Sequence, residues 1–190
     1  TAGFLDISSA TSSTYDAPSG LTATTYYRRL TRSVQNANTC LSSGTNVVTV
    51  TVVADPTITS QPTAITQCVG GNATLSVTAT GGTPSLTYQW YSNASNANTL
   101  GTIISGATSS TYTPTSSSAG TVYYYCIVSA SGNGCTSTTT NAVAVVVIAD
   151  PLITVHPVGF TECIGGSATI SVTATGGTPS LTYQWFSNTS

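Results

Sequence analysis

The residues that could support catalysis are few in this sequence. Its only histidine is His156, and its acids are Asp6, Asp16, Asp55, Asp150 and Glu162. Serine-based catalysis needs a histidine held between the nucleophile and an orienting acid, and glycoside hydrolysis needs paired carboxylates. His156 replaces Gln61 of an internal repeat, and the two aspartates in like context lie one repeat apart. The sequence therefore predicts a protein that is not an enzyme and has no cofactor.

A metal site is not predicted either. The five cysteines contain no Cys-x-x-Cys spacing, and they suit an oxidising exterior better than a zinc site. Calcium would need six to eight oxygen ligands, usually with several carboxylates. Asp55 and Asp150 are each alone at their position, as ordinary turn residues are.

The composition points away from an intracellular enzyme. Charged residues make up 4 % of the chain, whereas an ordinary soluble domain carries about 25 %. Serine and threonine supply 66 of the 190 residues, so solubility must come from hydroxyls and amides. The only basic residues are Arg28, Arg29 and Arg32, which is too few for the clustered phosphate contacts of a nucleic-acid interface. No apolar run approaches the ~18 residues of a membrane span.

One segment of the sequence occurs twice. Residues 68–90 and residues 163–185 differ at only three of 23 positions, and the offset between them is 95 residues. A period of this size marks a domain repeat. Residues 1–54 match the back half of the repeat, residues 55–149 are a complete repeat, and residues 150–190 match the front half.

The sequence of the complete repeat predicts short strands separated by turns. Strands are expected at residues 57–60 and 64–67, as one edge strand broken by proline, and at residues 102–105 and 110–113. A hairpin turn is expected at Ser131-Gly132-Asn133-Gly134. The side chains expected to face inward are Ala73, Leu75, Val77, Ala79, Leu86, Tyr88, Trp90, Val122, Tyr124, Cys126, Val128, Val143, Val145 and Val147. This pattern predicts an all-β fold made of antiparallel sandwiches.

The joins between repeats are short. Ala54-Asp55-Pro56 and Ala149-Asp150-Pro151 lead from one valine-rich strand directly into the next repeat. Proline fixes its own φ and restrains the residue before it. We therefore expect stiff linkers that hold neighbouring domains end to end.

The positions of a tryptophan, a tyrosine and a cysteine in the strands of the complete repeat resemble those of an immunoglobulin-like domain. Trp90 resembles the core tryptophan of strand C, and Tyr124 resembles the tyrosine two residues before the strand-F cysteine, here Cys126. Val77 stands where strand B usually carries its cysteine, and Arg29 aligns with Cys126, so the usual disulfide between strands B and F cannot form. The resemblance implies a structural core of Val77, Trp90, Tyr124 and Cys126, with Cys126 as a buried free thiol.

The motifs of the repeat, DPxITxxP, CxGGxATxSVTATGG, TTYYRR and NxVxVxV, are more specific than the fold. They resemble the tandem Ig-like repeats of very large secreted surface proteins of Bacteroidota, the gliding-adhesin type included. That resemblance implies an extracellular, structural or adhesive segment whose partners are adjacent repeats, neighbouring copies in a filament, or a surface. The alternative is a ligand-binding module for glycans or ice, for which the nearest aromatic candidates are Tyr123 and Tyr125.

Four cysteines recur with the repeat. Cys68 and Cys163 precede the first turn, at the lower end of an Ig-like domain, and Cys40 and Cys135 lie in the last hairpin, at the upper end. The two ends of one domain are too far apart for a disulfide. In a head-to-tail stack, however, the lower end of one domain meets the upper end of the next. We therefore predict that the turn cysteine of each domain bonds to the hairpin cysteine of the following one.

The two partial repeats add up to one period. Each would expose its inner face if it were alone, and half a sandwich cannot bury enough surface to offset the entropy of ordering. We expect the chain to be a segment of a longer repeat polymer, in which adjoining segments or neighbouring copies complete the halves.

Overall fold

A computed structural model of the chain describes residues 3–132 and 135–189. Asn133 and Gly134 of the expected hairpin turn lie outside the described residues. The described residues contain no helix, and the predicted all-β class is confirmed. Their strands are β1 Thr25–Tyr27, β2 Arg32–Gln35, β3 Asn38–Leu41, β4 Val48–Val50, β5 Thr57–Ser60, β6 Ile65–Cys68, β7 Leu75–Ser76, β8 Thr78–Thr80, β9 Leu86–Asn93, β10 Thr102–Ile103, β11 Thr111–Tyr112, β12 Gly120–Ala130, β13 Thr138–Thr139, β14 Val143–Ile148, β15 Leu152–Val155 and β16 Thr173–Thr175.

The chain divides into two compact units, residues 1–54 and residues 55–190. In the first unit, β1 pairs antiparallel with β4, and Tyr27 lies opposite Val48. Strands β2 and β3 form a separate hairpin. Its two turn residues, Asn36 and Ala37, both have positive φ angles (49° and 64°), as a tight two-residue hairpin requires.

Residues 55–149 of the second unit form a two-layered sandwich. The larger sheet has the order β10-β9-β12-β14-β6, with β13 beside β12. The smaller layer pairs β5 with β8 and β7 with β11. Strands β7 and β8 are one extended stretch interrupted at Val77.

The proline between the first two strands of the sandwich moves the chain from one layer to the other. Strand β5 pairs antiparallel with β8, whereas β6, which begins three residues after the buried Pro62, pairs parallel with β14. Proline has no N–H to donate to a sheet, so it is tolerated at such a break.

The core lies between the two layers. It consists of Leu75, Val77, Trp90, Tyr124, Cys126, Val128, Val145 and Val147. The indole N–H of Trp90 donates to the carbonyl of Ser109 at 2.9 Å, and the Trp90 ring stacks against Tyr112. Two of the inward-facing predictions are wrong, because Ala73 and Val122 are exposed. Ala73 precedes its strand, and Val122 lies near one end of β12.

Residues 150–189 repeat the first hairpin of the sandwich. Strands β15 and β16 pair in the register of β5 and β8, including the same irregularity after the second pair. The following turn is also the same. A Cβ at Gly82 or Gly177, both with φ near +60°, would lie 3.0 Å or less from the ring of Pro56 or Pro151.

Candidate functional site at the two ends of the repeat

The residues with catalytic chemistry are not brought together. Within residues 3–132 and 135–189, no group of three histidine, cysteine, aspartate or glutamate side chains is placed to hold a metal ion. His156 is exposed directly after β15, and the carboxylate of Glu162 accepts a hydrogen bond from the Ala168 N–H at 2.9 Å. In the same described ranges, no helix is long and apolar enough to cross a membrane.

The upper end of the repeat is tied together by Asp55. Its carboxylate accepts two hydrogen bonds from Thr136, one from the backbone N–H at 3.0 Å and one from the hydroxyl at 2.6 Å. These hydrogen bonds from Thr136 hold the pKa of Asp55 below its ordinary value. Gln61 adds a second link, since its amide oxygen accepts from the N–H of Asn141 at 2.9 Å. The first residue of the repeat is therefore fixed to the segment after the last hairpin.

We predict that this link weakens in acid. Because the pKa of Asp55 is lowered in the folded state, its stabilising contribution is present above the unfolded value near 3.8 and is lost as the pH falls through the folded value. Asp55→Asn should remove that dependence and speed hydrogen exchange at the Thr136 amide. Thermal unfolding of the unsubstituted protein and of the Asp55→Asn variant, at pH values above and below 3.8, measures the pH dependence of stability.

The matched control is Asp150→Asn, at the same position of the next repeat. Within the described part of the chain, the Asp150 carboxylate accepts no hydrogen bond, so its loss should leave exchange at Thr136 unchanged. Equal effects of the two substitutions would contradict the assigned role of Asp55.

The lower end of the repeat carries Cys68. Strands β6 and β14 are parallel and end side by side, with Cys68 in register with Ile148. The N–H of Val69 donates to the carbonyl of Ile148 at 3.1 Å. Cys68 is exposed, and it therefore lies at the surface beside the exit of the chain toward Ala149 and Asp150.

The hairpin cysteine lies at the opposite end. Cys135 is half-buried and directly precedes Thr136, the partner of Asp55. The two ends are separated by the length of β12, whose Gly120 is in register with Val147 and whose Ala130 is in register with Leu86. Eleven strand residues span roughly 36 Å, far beyond the reach of a disulfide.

The remaining cysteine is chemically different. Cys126 is fully buried in the core, and burial raises the pKa of its thiol to about 11. The thiolate is the reactive form of cysteine, so Cys126 is protected from exchange. All five thiols of the chain are free.

Of the two aromatic candidates for ligand binding, Tyr123 is half-buried in β12 and Tyr125 is buried. The rings of Tyr91 and Tyr125 are stacked, with centroids 5.1 Å apart and an interplanar angle of 4°. The hydroxyl of Tyr125 accepts a hydrogen bond from the N–H of Gly101 at 3.0 Å, and only 3 % of the side chain is exposed. Tyr125 therefore supports the loop at Gly101 and cannot contact a ligand.

Beside this loop lies a shallow groove of about 430 Å³. Its lining includes Ser92, Leu100, Thr121 and Val122. It contains neither a charged side chain nor an aromatic ring, and sugar-binding sites usually depend on such groups for orientation.

Residues 3–54 and 150–189 leave large apolar side chains in contact with solvent. Trp90 is 0 % exposed, whereas its counterpart Trp185 is 49 % exposed. Leu75 and its counterpart Ile170 show the same contrast, at 1 % and 49 %. Of the 22 exposed large hydrophobic side chains in the described residues, nineteen lie in residues 3–54 or 150–189.

Three family models match the chain. The Ig-like domain described as CHU_C associated matches residues 54–148. The SprB repeat matches residues 162–190, and a domain of unknown function matches residues 1–54. No curated protein sequence matches the chain.

Solved structures that are similar to the chain include several with immunoglobulin domains. Sidekick-1 immunoglobulin domains 1–5 are 19 % identical over 66 % of this chain and 28 % of that one, with a TM-score of 0.38. A variant of titin domains I67–I69 is 17 % identical over 56 % and 37 %, with a TM-score of 0.39. Drosophila OTK extracellular domains 3–5 are 20 % identical over 78 % and 48 %, with a TM-score of 0.40. The chain thus spans less than half of the length of each of these structures.

Proposed function

Because the chain belongs to the family of Ig-like domains described as CHU_C associated, we propose that it is a stiff spacer segment of a long extracellular protein. The predicted family resemblance is confirmed, since this family and the SprB repeat are both typical of Bacteroidota surface proteins. Families of this kind are typically not enzymes. The chain is accordingly a repeat segment of a surface protein, and the spacer role is the proposal.

The observation that carries the proposal is the double hydrogen bond between Asp55 and Thr136. It makes the middle residue of the Ala-Asp-Pro join part of the folded domain. Pro56, the next residue, is buried and has a restricted φ. At the second join, only Ala149 separates the end of β14 at Ile148 from Asp150, whereas flexible linkers consist of longer Gly- and Ser-rich stretches.

The surface of the repeat also suits a spacer. It is covered by short hydroxyl side chains and carries few charges, so neighbouring domains are not driven apart by electrostatic repulsion. The same repeat sequence recurs after 95 residues. An array of nearly identical units with equal joins would grow by a constant length for each repeat.

We predict that three joined copies of residues 55–149 form a rod. Small-angle X-ray scattering under reducing conditions should show the maximum dimension increasing by roughly 36 Å for each added repeat, the length of an eleven-residue strand. The matched control carries a Gly-Gly-Ser insertion between Ala149 of each copy and Asp55 of the next, which should broaden the distance distribution. A broad distribution in the protein without the insertion would overturn the stiff-spacer proposal.

A further inference from the structure

We propose that successive repeats are joined by disulfides, each between the turn cysteine of one repeat (Cys68) and the hairpin cysteine of the next (the equivalent of Cys135). This inference rests on the proposed function, since it requires repeats that follow one another end to end. It assigns a covalent modification to the joins, which would make them resistant to shear as well as stiff.

The first support is the position of Cys68. It is the last residue of β6 and lies beside Ile148, the last residue of the parallel strand β14. The strand pair separates these two residues by about 5 Å. Two residues after Ile148 the chain reaches Asp150, at most about 7 Å further on. Cys68 therefore lies close to the first residue of the next repeat.

The second support is the position of Cys135. It directly precedes Thr136, whose N–H and hydroxyl bind Asp55, the first residue of its own repeat. In the repeat that begins at Asp150, the equivalent cysteine would hold the same place beside Asp150. The two cysteines thus lie on the two sides of one join, and close packing of the two repeats there would bring their Cα atoms within the ~4.4–6.8 Å that a disulfide requires.

The third support is the contrast among the five thiols. Cys40, Cys68 and Cys163 are exposed, Cys135 is half-buried, and all four belong to pairs that recur at the 95-residue period. Cys126 is buried in the core and is replaced by Arg29 in the other copy. The cysteines that recur are the accessible ones at the ends of the domain. The cysteine that does not recur, Cys126, is buried in the core.

The chemistry needs an oxidant, which is a disulfide donor such as a small-molecule disulfide or a thiol oxidoreductase. The Cys68 thiolate attacks the donor, releases one thiolate and forms a mixed disulfide. The hairpin cysteine then attacks the sulfur of Cys68 and releases the second thiolate. The two protein thiols lose two protons and two electrons, and the donor is reduced to two thiols. An extracellular setting maintains such a bond.

The test uses two copies of residues 55–149 joined directly, equilibrated in a glutathione redox buffer whose excess of reduced glutathione returns unpaired cysteines to thiols, and titrated for thiols after denaturation. This range contains every residue of the core, from Leu75 to Val147. Each copy carries Cys68, Cys126 and Cys135, so the fusion has six thiols. The proposal predicts one bond, from Cys68 of the first copy to Cys135 of the second, and therefore four free thiols. Reduction should restore all six.

Two variants of identical composition provide the control. Cys68→Ser in the first copy removes the bond and should leave five free thiols, whereas Cys68→Ser in the second copy keeps it and should leave three. Equal counts in the two variants, or six free thiols in the unsubstituted fusion, would overturn the proposal. Because the scattering experiment is done in reductant, the spacer proposal can succeed or fail independently of this result.

Discussion

Replacing Trp90 by alanine is expected to remove most of the stability of the complete repeat. The side chain is fully buried, its indole N–H is hydrogen-bonded to Ser109, and its ring packs against Tyr112. Truncating a buried tryptophan costs about 3–5 kcal/mol, and a small domain has a total stability of about 5–15 kcal/mol. Urea unfolding followed by circular dichroism should show the midpoint falling sharply.

The control lies in the same chain, because Trp185 occupies the same place in the next repeat. About half of its side chain is exposed, and substitutions at such positions usually change stability by less than about 0.5 kcal/mol. Trp185→Ala should therefore leave the unfolding of residues 55–149 unchanged. A similar loss for both substitutions would show that residues 150–189 share the core of the complete repeat.

The inward-facing side chains of the sandwich could be predicted from the sequence because alternation is a local property. Leu75 and Val77 alternate with exposed threonine and serine, and both are buried. The prediction failed for Ala73 and Val122, which continue the same alternation toward the ends of the sandwich. Alternation says which side of a strand a residue faces, but not where the opposite layer stops.

The layer change at Pro62 and the burial of Tyr125 depend on contacts distant in sequence. A proline marks a break in a strand, but the parallel pairing of β6 with β14 joins residues about 80 positions apart. Tyr125 lies on the outer side of the larger sheet, where a polar environment would be expected. It is covered because the loop at Gly101 folds back over it.

At the ends of the repeat, too, some features could be predicted from the sequence and others could not. The sequence placed Cys68 and Cys135 at opposite ends of an Ig-like domain, because the order of strands and turns determines which loops share an end. It assigned Asp55 only the role of a turn residue. Its partner Thr136 is 81 positions away, and nothing in the local pattern around either residue indicates that they meet. The same is true of Thr140, whose buried hydroxyl accepts a hydrogen bond from the Cys126 N–H.

Limited digestion of the 190-residue chain with chymotrypsin is expected to leave residues 55–149 as the resistant fragment. The aromatic side chains at which the protease cuts are exposed in residues 3–54 and 150–189, as at Tyr26, Phe160 and Trp185. In the complete repeat they are partly or fully buried in the sandwich. Cleavage of a folded domain requires it to open, and a stability of 5 kcal/mol or more makes the open form rarer than about one molecule in a thousand.

The expected difference in cleavage rate is therefore about a thousandfold, and mass spectrometry of the fragments over time measures it. Trypsin is unsuitable because the only basic residues are the three arginines of residues 28–32. The Trp90→Ala variant is the control, since it should lose the resistant fragment while the flanking cuts continue at the same rate. If residues 1–54 and 150–190 were both protected in a monomer, each partial repeat would be stable without a complementary half. The expectation that adjoining segments or neighbouring copies complete these halves would then be wrong.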